Sequence, residues 1–396
     1  MERRKRKERG RLKLEIIAAV TFGLEAVVKR EIEHLGYKIL KTEDGKITFL
    51  GDERAVVRTN LWLRCADRVQ IKMGEFMAYE FEDLFQQVKA IAWEEWIPAD
   101  GKFIVNGSSV KSKLSSVPAC QSVAEKAIIE RLKETYGVEH FEKTGALYDI
   151  KITLLKDRVT VTLDTSGPGL HKRGYRKHSV EAPIKETLAA ALIQLSFWNK
   201  DRILADPCCG SGTIPIEAAL IGRNIAPGIS REFAAEGWEA IPAHLWKEER
   251  RAAFEAIDND CNLKIYGSDI NPAAIKAAIS NAEEAGVDDC IKFNVADVSA
   301  LCTKSLSGVM VTNPPYGQRI GEQEAIDRIY TAYRSFFTEN PTWSLFAVTS
   351  DKTIEQKAMG RPADRRRKLY NGRLEICYYQ FHGEKPTVEH MREKQE

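Results

Sequence analysis

The sequence predicts a doubly wound α/β sheet with an antiparallel hairpin at one edge, preceded by two smaller α+β regions. Three observations carry this. From about residue 170 short apolar strands alternate with longer helices, the pattern of parallel strands joined by helical crossovers. A glycine turn, Asp206-Pro207-Cys208-Cys209-Gly210-Ser211-Gly212-Thr213, follows the first of those strands and opens a helix. Before residue 80, strand and helix signals fall in the order β-α-β-β-α-β, that of a ferredoxin-like split unit.

The N-terminal elements follow in chain order. Leu14 to Val20 reads as a strand. Leu24 to Leu35 reads as a helix, with apolar residues at Leu24, Val27, Val28, Ile32 and Leu35 and Gly36 to end it. Tyr37 to Leu40 and Lys46 to Leu50 form a strand pair around Glu43-Asp44-Gly45. Glu53 to Leu63 is a helix and Arg68 to Phe76 a strand. In the next region Phe81 to Ile91 is helical and Phe103 to Asn106 is a strand. Pro118 opens a helix to about Tyr136, before Gly137. Tyr148 to Leu155 and Val159 to Leu163 form a hairpin. Ser166-Gly167-Pro168-Gly169 then breaks the pattern and marks a boundary.

In the C-terminal region Pro183 starts a helix through Leu195, and Arg202 to Ala205 is a strand. The glycine turn leads into a helix through Leu220. Leu263 to Ser268 is a strand, Pro272 to Ala285 a helix ended by Gly286, and Ile291 to Val295 a strand. Val309 to Thr312 and Leu345 to Val348 are further strands around a helix from Glu324 to Phe337. Lys368 to Tyr370 and Leu374 to Phe381, joined at Asn371-Gly372, form the edge hairpin. The stretch from Arg223 to Asn262 is long for one crossover. It carries Trp238 and Trp246 and is expected to be an insertion packed on the sheet.

Composition narrows the class. The chain has 396 residues, enough for two or three domains, with 43% hydrophobic and 29% charged residues, an ordinary globular balance. No apolar run has bilayer length, and the basic N-terminus lacks the apolar core of a signal peptide, so a cytoplasmic location is expected. The eight cysteines contain no C-x-x-C pair, so neither zinc nor a disulfide framework is expected. The net charge of +2 selects no partner, but basic residues cluster at Arg3 to Lys13, His171 to Lys177 and Arg365 to Lys368. Such clusters either track phosphates or are solvated loops.

In an open α/β sheet ligands bind at the carboxyl ends of the strands. The glycine turn lacks the lysine of a phosphate-gripping loop, and Pro215 stands where a dinucleotide fingerprint has its third glycine. The remaining reading is S-adenosylmethionine, which has no phosphate to neutralise and tolerates Asp206 near its ammonium. Asp269, ending Tyr266-Gly267-Ser268-Asp269, suits the ribose hydroxyls. Asp297, ending Asn294-Val295-Ala296-Asp297, suits the adenine amine. Either acid alone reads equally as a helix cap, but three at successive strand ends favour a cofactor. At the end of the next apolar run stands Asn313-Pro314-Pro315-Tyr316. Its prolines fix φ, remove two donors and hold an extended corner with free carbonyls.

These residues resemble class I S-adenosylmethionine-dependent methyltransferases, carried by the glycine turn, Gly267-Ser268-Asp269-Ile270 and Asn313-Pro314-Pro315-Tyr316-Gly317. Arg173-Gly174-Tyr175-Arg176 and Ala182-Pro183-Ile184-Lys185-Glu186-Thr187-Leu188-Ala189 narrow the resemblance to the THUMP-containing RNA guanine-N2 methyltransferases, which act on 23S ribosomal RNA or transfer RNA. The resemblance covers nearly the whole chain. It implies a Rossmann-like methyltransferase sheet at 183–383, a ferredoxin-like domain at 14–78 and a THUMP RNA-binding domain at 79–165. A basic arm at 1–13, a linker at 166–182 and a tail at 384–396 complete the organisation.

By this resemblance Asn313, Pro314, Pro315 and Tyr316 hold the target amine. Asp206, Pro207, Gly210, Ser211, Gly212, Thr213, Asp269, Ile270, Asp297 and Asn313 hold the cofactor. Lys111, Lys113, Lys172, Arg173, Arg176 and Lys177 are the expected RNA contacts. The ribosomal enzyme of some bacteria is fused to a second methyltransferase; this sequence shows one such domain, so a dual activity is not expected. The corner itself does not choose the base. A DNA adenine-N6 methyltransferase, a protein-glutamine methyltransferase and a cofactor-binding RNA chaperone without turnover are the competing readings.

Overall fold

The computed structural model describes residues 13–177, 184–315, 322–372, 374–387 and 390. They divide into two compact units. One falls within Met1–Val20, Val28–Leu170 and Arg231–Ala252, the other within Thr21–Val27, His171–Ser230 and Ala253–Glu396. Among the described residues no helix is long and apolar enough to cross a membrane. Most of the basic N-terminal arm lies outside the described residues.

The N-terminal unit is built on a single seven-stranded sheet. Its strands are β1 (Leu14–Val20), β2 (Lys38–Glu43), β3 (Lys46–Gly51), β4 (Ala66–Met77), β5 (Lys102–Val110), β6 (Leu147–Leu155) and β7 (Arg158–Asp164). They lie in the order β2-β3-β1-β4-β7-β6-β5, parallel only between β5 and β6. Both sequence regions therefore share one sheet. The strand that joins them is β4, twelve residues long. Its first half pairs with β1 (Ile16 opposite Ile71) and its second half with β7 (Phe76 opposite Val159). β5 runs beyond its apolar Phe103–Asn106 segment through Gly107, Ser108 and Ser109, because a full ladder with β6 overrides their weak strand preference. Helix ends match their sequence signals. Asp52 accepts the Ala55 amide at 2.9 Å to start Glu53–Trp62, and Gly137 closes Val117–Tyr136 at φ 65°.

The C-terminal unit holds the second seven-stranded sheet. Its strands are β8 (Leu204–Asp206), β9 (Ile265–Asp269), β10 (Ile291–Val295), β11 (Val309–Thr312), β12 (Ser344–Thr349), β13 (Arg365–Asn371) and β14 (Leu374–Phe381). The order is β10-β9-β8-β11-β12-β14-β13, parallel from β10 to β12 and antiparallel through the last two strands. The direction of winding reverses between β8 and β11, which makes their carboxyl ends the switch point. All six residues of β12 are buried, as a strand covered on both faces requires. β8 starts later than its apolar run suggests. Arg202 is held in a turn by the Asn199 carbonyl, and its own carbonyl accepts the Trp198 indole.

The long stretch after residue 223 corrects an expectation. Residues Arg231–Ala252 belong to the N-terminal unit. Trp238 stacks on Tyr148 of β6 with ring centroids 4.8 Å apart, and its indole donates to the Leu147 carbonyl at 3.1 Å. Glu249, on the helix Ala243–Glu255, accepts from Arg54 at 2.7 Å and from Arg58 at 2.8 and 2.9 Å. An aromatic face and a buried carboxylate need partners, and the N-terminal unit supplies both. Trp238→Ala is expected to lower the stability of the N-terminal unit by about 3–5 kcal/mol, the cost of deleting a buried aromatic. Urea unfolding followed by tyrosine and tryptophan fluorescence measures it.

Candidate active site

Four strand ends in the C-terminal unit build the site. The glycine turn after β8 is shaped by two residues with positive φ, Gly210 at 53° and Gly212 at 83°. A Cβ on Gly212 would stand 2.9 Å from the Ala278 side chain and 3.0 Å from the Phe293 ring. The turn is pressed onto the helix Pro272–Ala285 and β10, and only glycine fits there. Gly212 caps the helix Thr213–Gly222, and Ser211 offers its carbonyl to the Asn281 amide at 3.1 Å.

Asp269 ends β9 half-buried. One carboxyl oxygen accepts the Gly210 amide at 3.0 Å and the other the Asn271 amide at 2.9 Å. Both bonds orient the group, and each oxygen keeps a lone pair for a ligand hydroxyl. Ile270 beside it is exposed and offers an apolar surface. Asp297, just past β10, accepts the Ser299 amide at 2.8 Å, which holds its carboxyl below the usual range. It lies on the wall of a cavity of about 680 Å³ whose lining includes Asp206, Pro207, Ser268, Met310 and Trp343. A glycine cradle, a two-oxygen acceptor and a lined cavity at the switch point fit the ammonium, ribose and adenine of S-adenosylmethionine.

Asp206 is deeply buried, only 2% exposed. It accepts the Thr312 hydroxyl at 2.8 Å and the Cys208 amide at 3.2 Å. Burial pushes its carboxyl up to about 7, against those two hydrogen bonds and with repulsion from Asp269 adding to the rise. Asn313 follows β11 directly and is half-buried; Pro314 is buried and Pro315 exposed. Tyr316 and Gly317 lie outside the described residues, as do Ala182 and Pro183.

The expected RNA contacts divide. Arg173 is corrected: it is 5% exposed and pairs with the fully buried Glu217, which also accepts the Tyr175 hydroxyl at 3.1 Å. Its charge is consumed inside the unit. Arg176 is corrected on the same ground. It donates to the Ile184 carbonyl and the Thr213 hydroxyl, both at 2.8 Å, and pairs with Glu186 at 3.3 Å. It therefore braces the helix start behind the glycine turn. Lys177 is exposed and pairs with Glu284 at 2.6 Å, and Lys172 is exposed. In the N-terminal unit Lys111 and Lys113 are exposed, the latter with its ammonium 4.9 Å from the Tyr79 ring centre. The Arg365 to Lys368 run is largely satisfied internally: Arg366 binds Glu355, Arg367 the Gly23 carbonyl and Lys368 Glu375. Glu217 and Thr312 were not singled out from sequence. The signal for Glu217 was a lone acid inside the apolar helix Thr-Ile-Pro-Ile-Glu-Ala-Ala-Leu.

Comparison with known proteins assigns the domains. Residues 173–380 match the RMKL-like methyltransferase domain, residues 15–70 the RlmL ferredoxin-like domain and residues 78–164 the THUMP domain. The chain belongs to the RMKL-like methyltransferase family. It is 48% identical over 371 residues to the putative RNA methyltransferase YpsC of Bacillus subtilis, covering 93% of this chain and 96% of that protein. It is 32% identical over 377 residues to the ribosomal RNA large subunit methyltransferase K/L of Psychromonas ingrahamii, covering 93% of this chain but only 50% of that one. Two solved relatives share the fold at a TM-score of 0.90. One, from Listeria monocytogenes, is described as a predicted N6-adenine-specific DNA methylase; it is 46% identical, over 94% of this chain and 97% of its own. The other, SMU.472, is a putative methyltransferase complexed with SAH; it is 42% identical, over 96% of this chain and all of its own.

As an RMKL-like enzyme the protein uses S-adenosylmethionine, and Asp206 gives a stability signature. Between about pH 4 and pH 7 the folded protein keeps a proton that the unfolded chain has released. This contribution to stability therefore falls as pH rises through that window and is level above it. Asp206→Asn retains an acceptor oxygen and removes the titration. Its unfolding free energy, measured in urea at pH 5 and pH 8, is expected to fall less between the two than the wild type's does.

Proposed function

We propose that this chain methylates RNA, transferring the methyl group of S-adenosylmethionine to the exocyclic N2 amine of a guanine, with 23S ribosomal RNA the best-supported substrate. The observation that carries this is the Asn313-Pro314-Pro315 corner at the end of β11, next to β8 and its glycine turn at the switch point. The THUMP and ferredoxin-like domains, and the RNA-directed names of the Bacillus and Psychromonas relatives, support RNA as the substrate.

When bound, S-adenosylmethionine supplies an electrophilic methyl group on a sulfonium. Asp206 and the glycine turn would hold its ammonium end, Asp269 its ribose and Asp297 its adenine. The chain's own task is the amine. An exocyclic amine is a weak nucleophile because its lone pair is delocalised into the ring. The Asn313 side-chain oxygen and the Pro314 carbonyl accept its two N–H groups and turn the nitrogen toward tetrahedral geometry, with the lone pair freed to attack. Asn313 is a neutral amide and a poor base, so orientation and electrostatics dominate and the proton passes to water.

A paired base cannot enter such a corner and must be extruded, at a cost of about a few kcal/mol. Stacking on Tyr316 returns about 1–3 kcal/mol. The two nearly cancel, so most of the affinity must come from phosphate contacts elsewhere. Lys111, Lys113 and Lys172 are the exposed candidates. The name of the Listeria relative keeps a DNA adenine-N6 activity as the second reading.

Deleting the gene is expected to remove N2-methylguanosine from one RNA position. Nucleoside mass spectrometry of ribosomal RNA, transfer RNA and DNA decides it. Unchanged RNA with lost N6-methyladenine in DNA would reverse the assignment. Asn313→Ala is expected to retain S-adenosylhomocysteine binding, weakened by no more than about tenfold for one lost hydrogen bond, and to lose at least about a hundredfold in turnover, comparable to removing a transition-state hydrogen bond. Calorimetry and a methyl-transfer assay check the two halves.

A further inference from the structure

The ladder between β8 and β11 is short. It pairs Leu204 with Val309 and Ala205 with Met310. Beyond that point one side-chain bond joins the two strands: Thr312 gives its hydroxyl to Oδ1 of Asp206 at 2.8 Å. The same Oδ1 accepts the Cys208 amide, in the glycine turn, at 3.2 Å. A single carboxyl oxygen is thus shared by the turn and by the residue immediately before Asn313.

Thr312 is fully buried at the end of Val-Met-Val-Thr, where a valine would fill the same space. A buried hydroxyl costs about 1–3 kcal/mol unless it is bonded, so a threonine here needs a partner. It has one proton to give and lone pairs to offer. The proton goes to Asp206. The Tyr333 hydroxyl stands 3.5 Å away on the other side and reaches the Cys208 thiol at 3.7 Å. Burial holds that thiol up at about 12, so it stays protonated. The charged and titratable groups around Asp206 are then Asp269 from β9, Cys208 and Cys209 from the glycine turn and Tyr333 from the helix Glu322–Glu339.

We propose that Thr312 is a positioning residue for methyl transfer: its hydroxyl fastens the Asn313 corner to the Asp206 carboxyl and so sets the acceptor amine against the glycine turn. This rests on the function proposed above. Ionised Asp206 is the form that faces the cofactor's ammonium, and the Thr312 hydroxyl favours that form. The same bond therefore lowers the pH at which cofactor affinity rises.

The test uses the full chain with Thr312→Val, which removes the hydroxyl, and Thr312→Ser, which restores it. With RNA from the deletion strain, assayed at pH 9 where Asp206 is ionised in every variant, Thr312→Val is expected to lower kcat by about tenfold or more, with KM for S-adenosylmethionine within about threefold, and Thr312→Ser to recover most of the rate. Calorimetric titration with S-adenosylhomocysteine from pH 6 to pH 9 is the second arm. Affinity is expected to rise with pH as Asp206 ionises. The midpoint should move up by about one unit in Thr312→Val and return in Thr312→Ser. A wild-type kcat in Thr312→Val, or a serine variant as impaired as the valine one, overturns the proposal. If the wild type transfers no methyl group to RNA, the proposed function fails. The calorimetric arm then decides alone: a displaced midpoint upholds the Thr312 coupling to Asp206, and an unmoved one removes it.

Discussion

The catalytic unit depends on how a parallel sheet ends at its switch point. β8 and β11 are neighbours that send their chains to opposite sides, so their ladder must stop and leave backbone and side chains facing a cleft. Asp206 occupies that fork. Burying a carboxyl there is costly and raises its affinity for a proton. The hydrogen bonds from Thr312 and Cys208 offset part of that cost, and they join the Asn313-Pro314-Pro315 corner to the glycine turn. Rigidity in the corner follows from two prolines, and in the glycine turn from Gly212 pressed against Ala278 and Phe293. The site is therefore organised before either substrate arrives, which is what a reaction governed by orientation requires.

The N-terminal unit solves a different problem. Two small α+β regions would each expose sheet edges, and small domains bury too little surface for independent stability. β4 removes one edge from each by pairing with β1 along one half and β7 along the other. The segment Arg231–Ala252 then adds a stacked tryptophan and a buried glutamate bridged by two arginines. A chain segment that interrupts the methyltransferase region in sequence thus completes the core of the other unit. The core of the N-terminal unit therefore includes residues encoded after the glycine turn.

Much of the site was legible because it is made of local rules. Strand-end acids, positive-φ glycines and a double proline act within a few residues of their own backbone, so their spacing announces them. Charge was less legible. Arg173 and Arg176 sit in a basic run that reads as a phosphate-binding surface, yet one is buried on Glu217 and the other is spent on Glu186, Thr213 and a carbonyl. A cation's role depends on which anion the fold brings to it, and Glu217 lies more than forty residues away. Thr312 is illegible for the same reason: its partner Asp206 lies 106 positions away. As a strand residue it is unremarked, and only its distance to Asp206 gives it a task.

The sequence by itself determined the order of elements, the glycine turn, the acids at three strand ends and the rigid corner after the fourth. These are set by backbone conformation and hydrophobic period, which act over a few residues. The tertiary structure alone decided that two N-terminal regions share one sheet, that residues 231–252 belong with them, and that Asp206, Thr312 and Cys208 meet. Those outcomes depend on contacts between residues up to a hundred or more positions apart, whose partners no local pattern specifies.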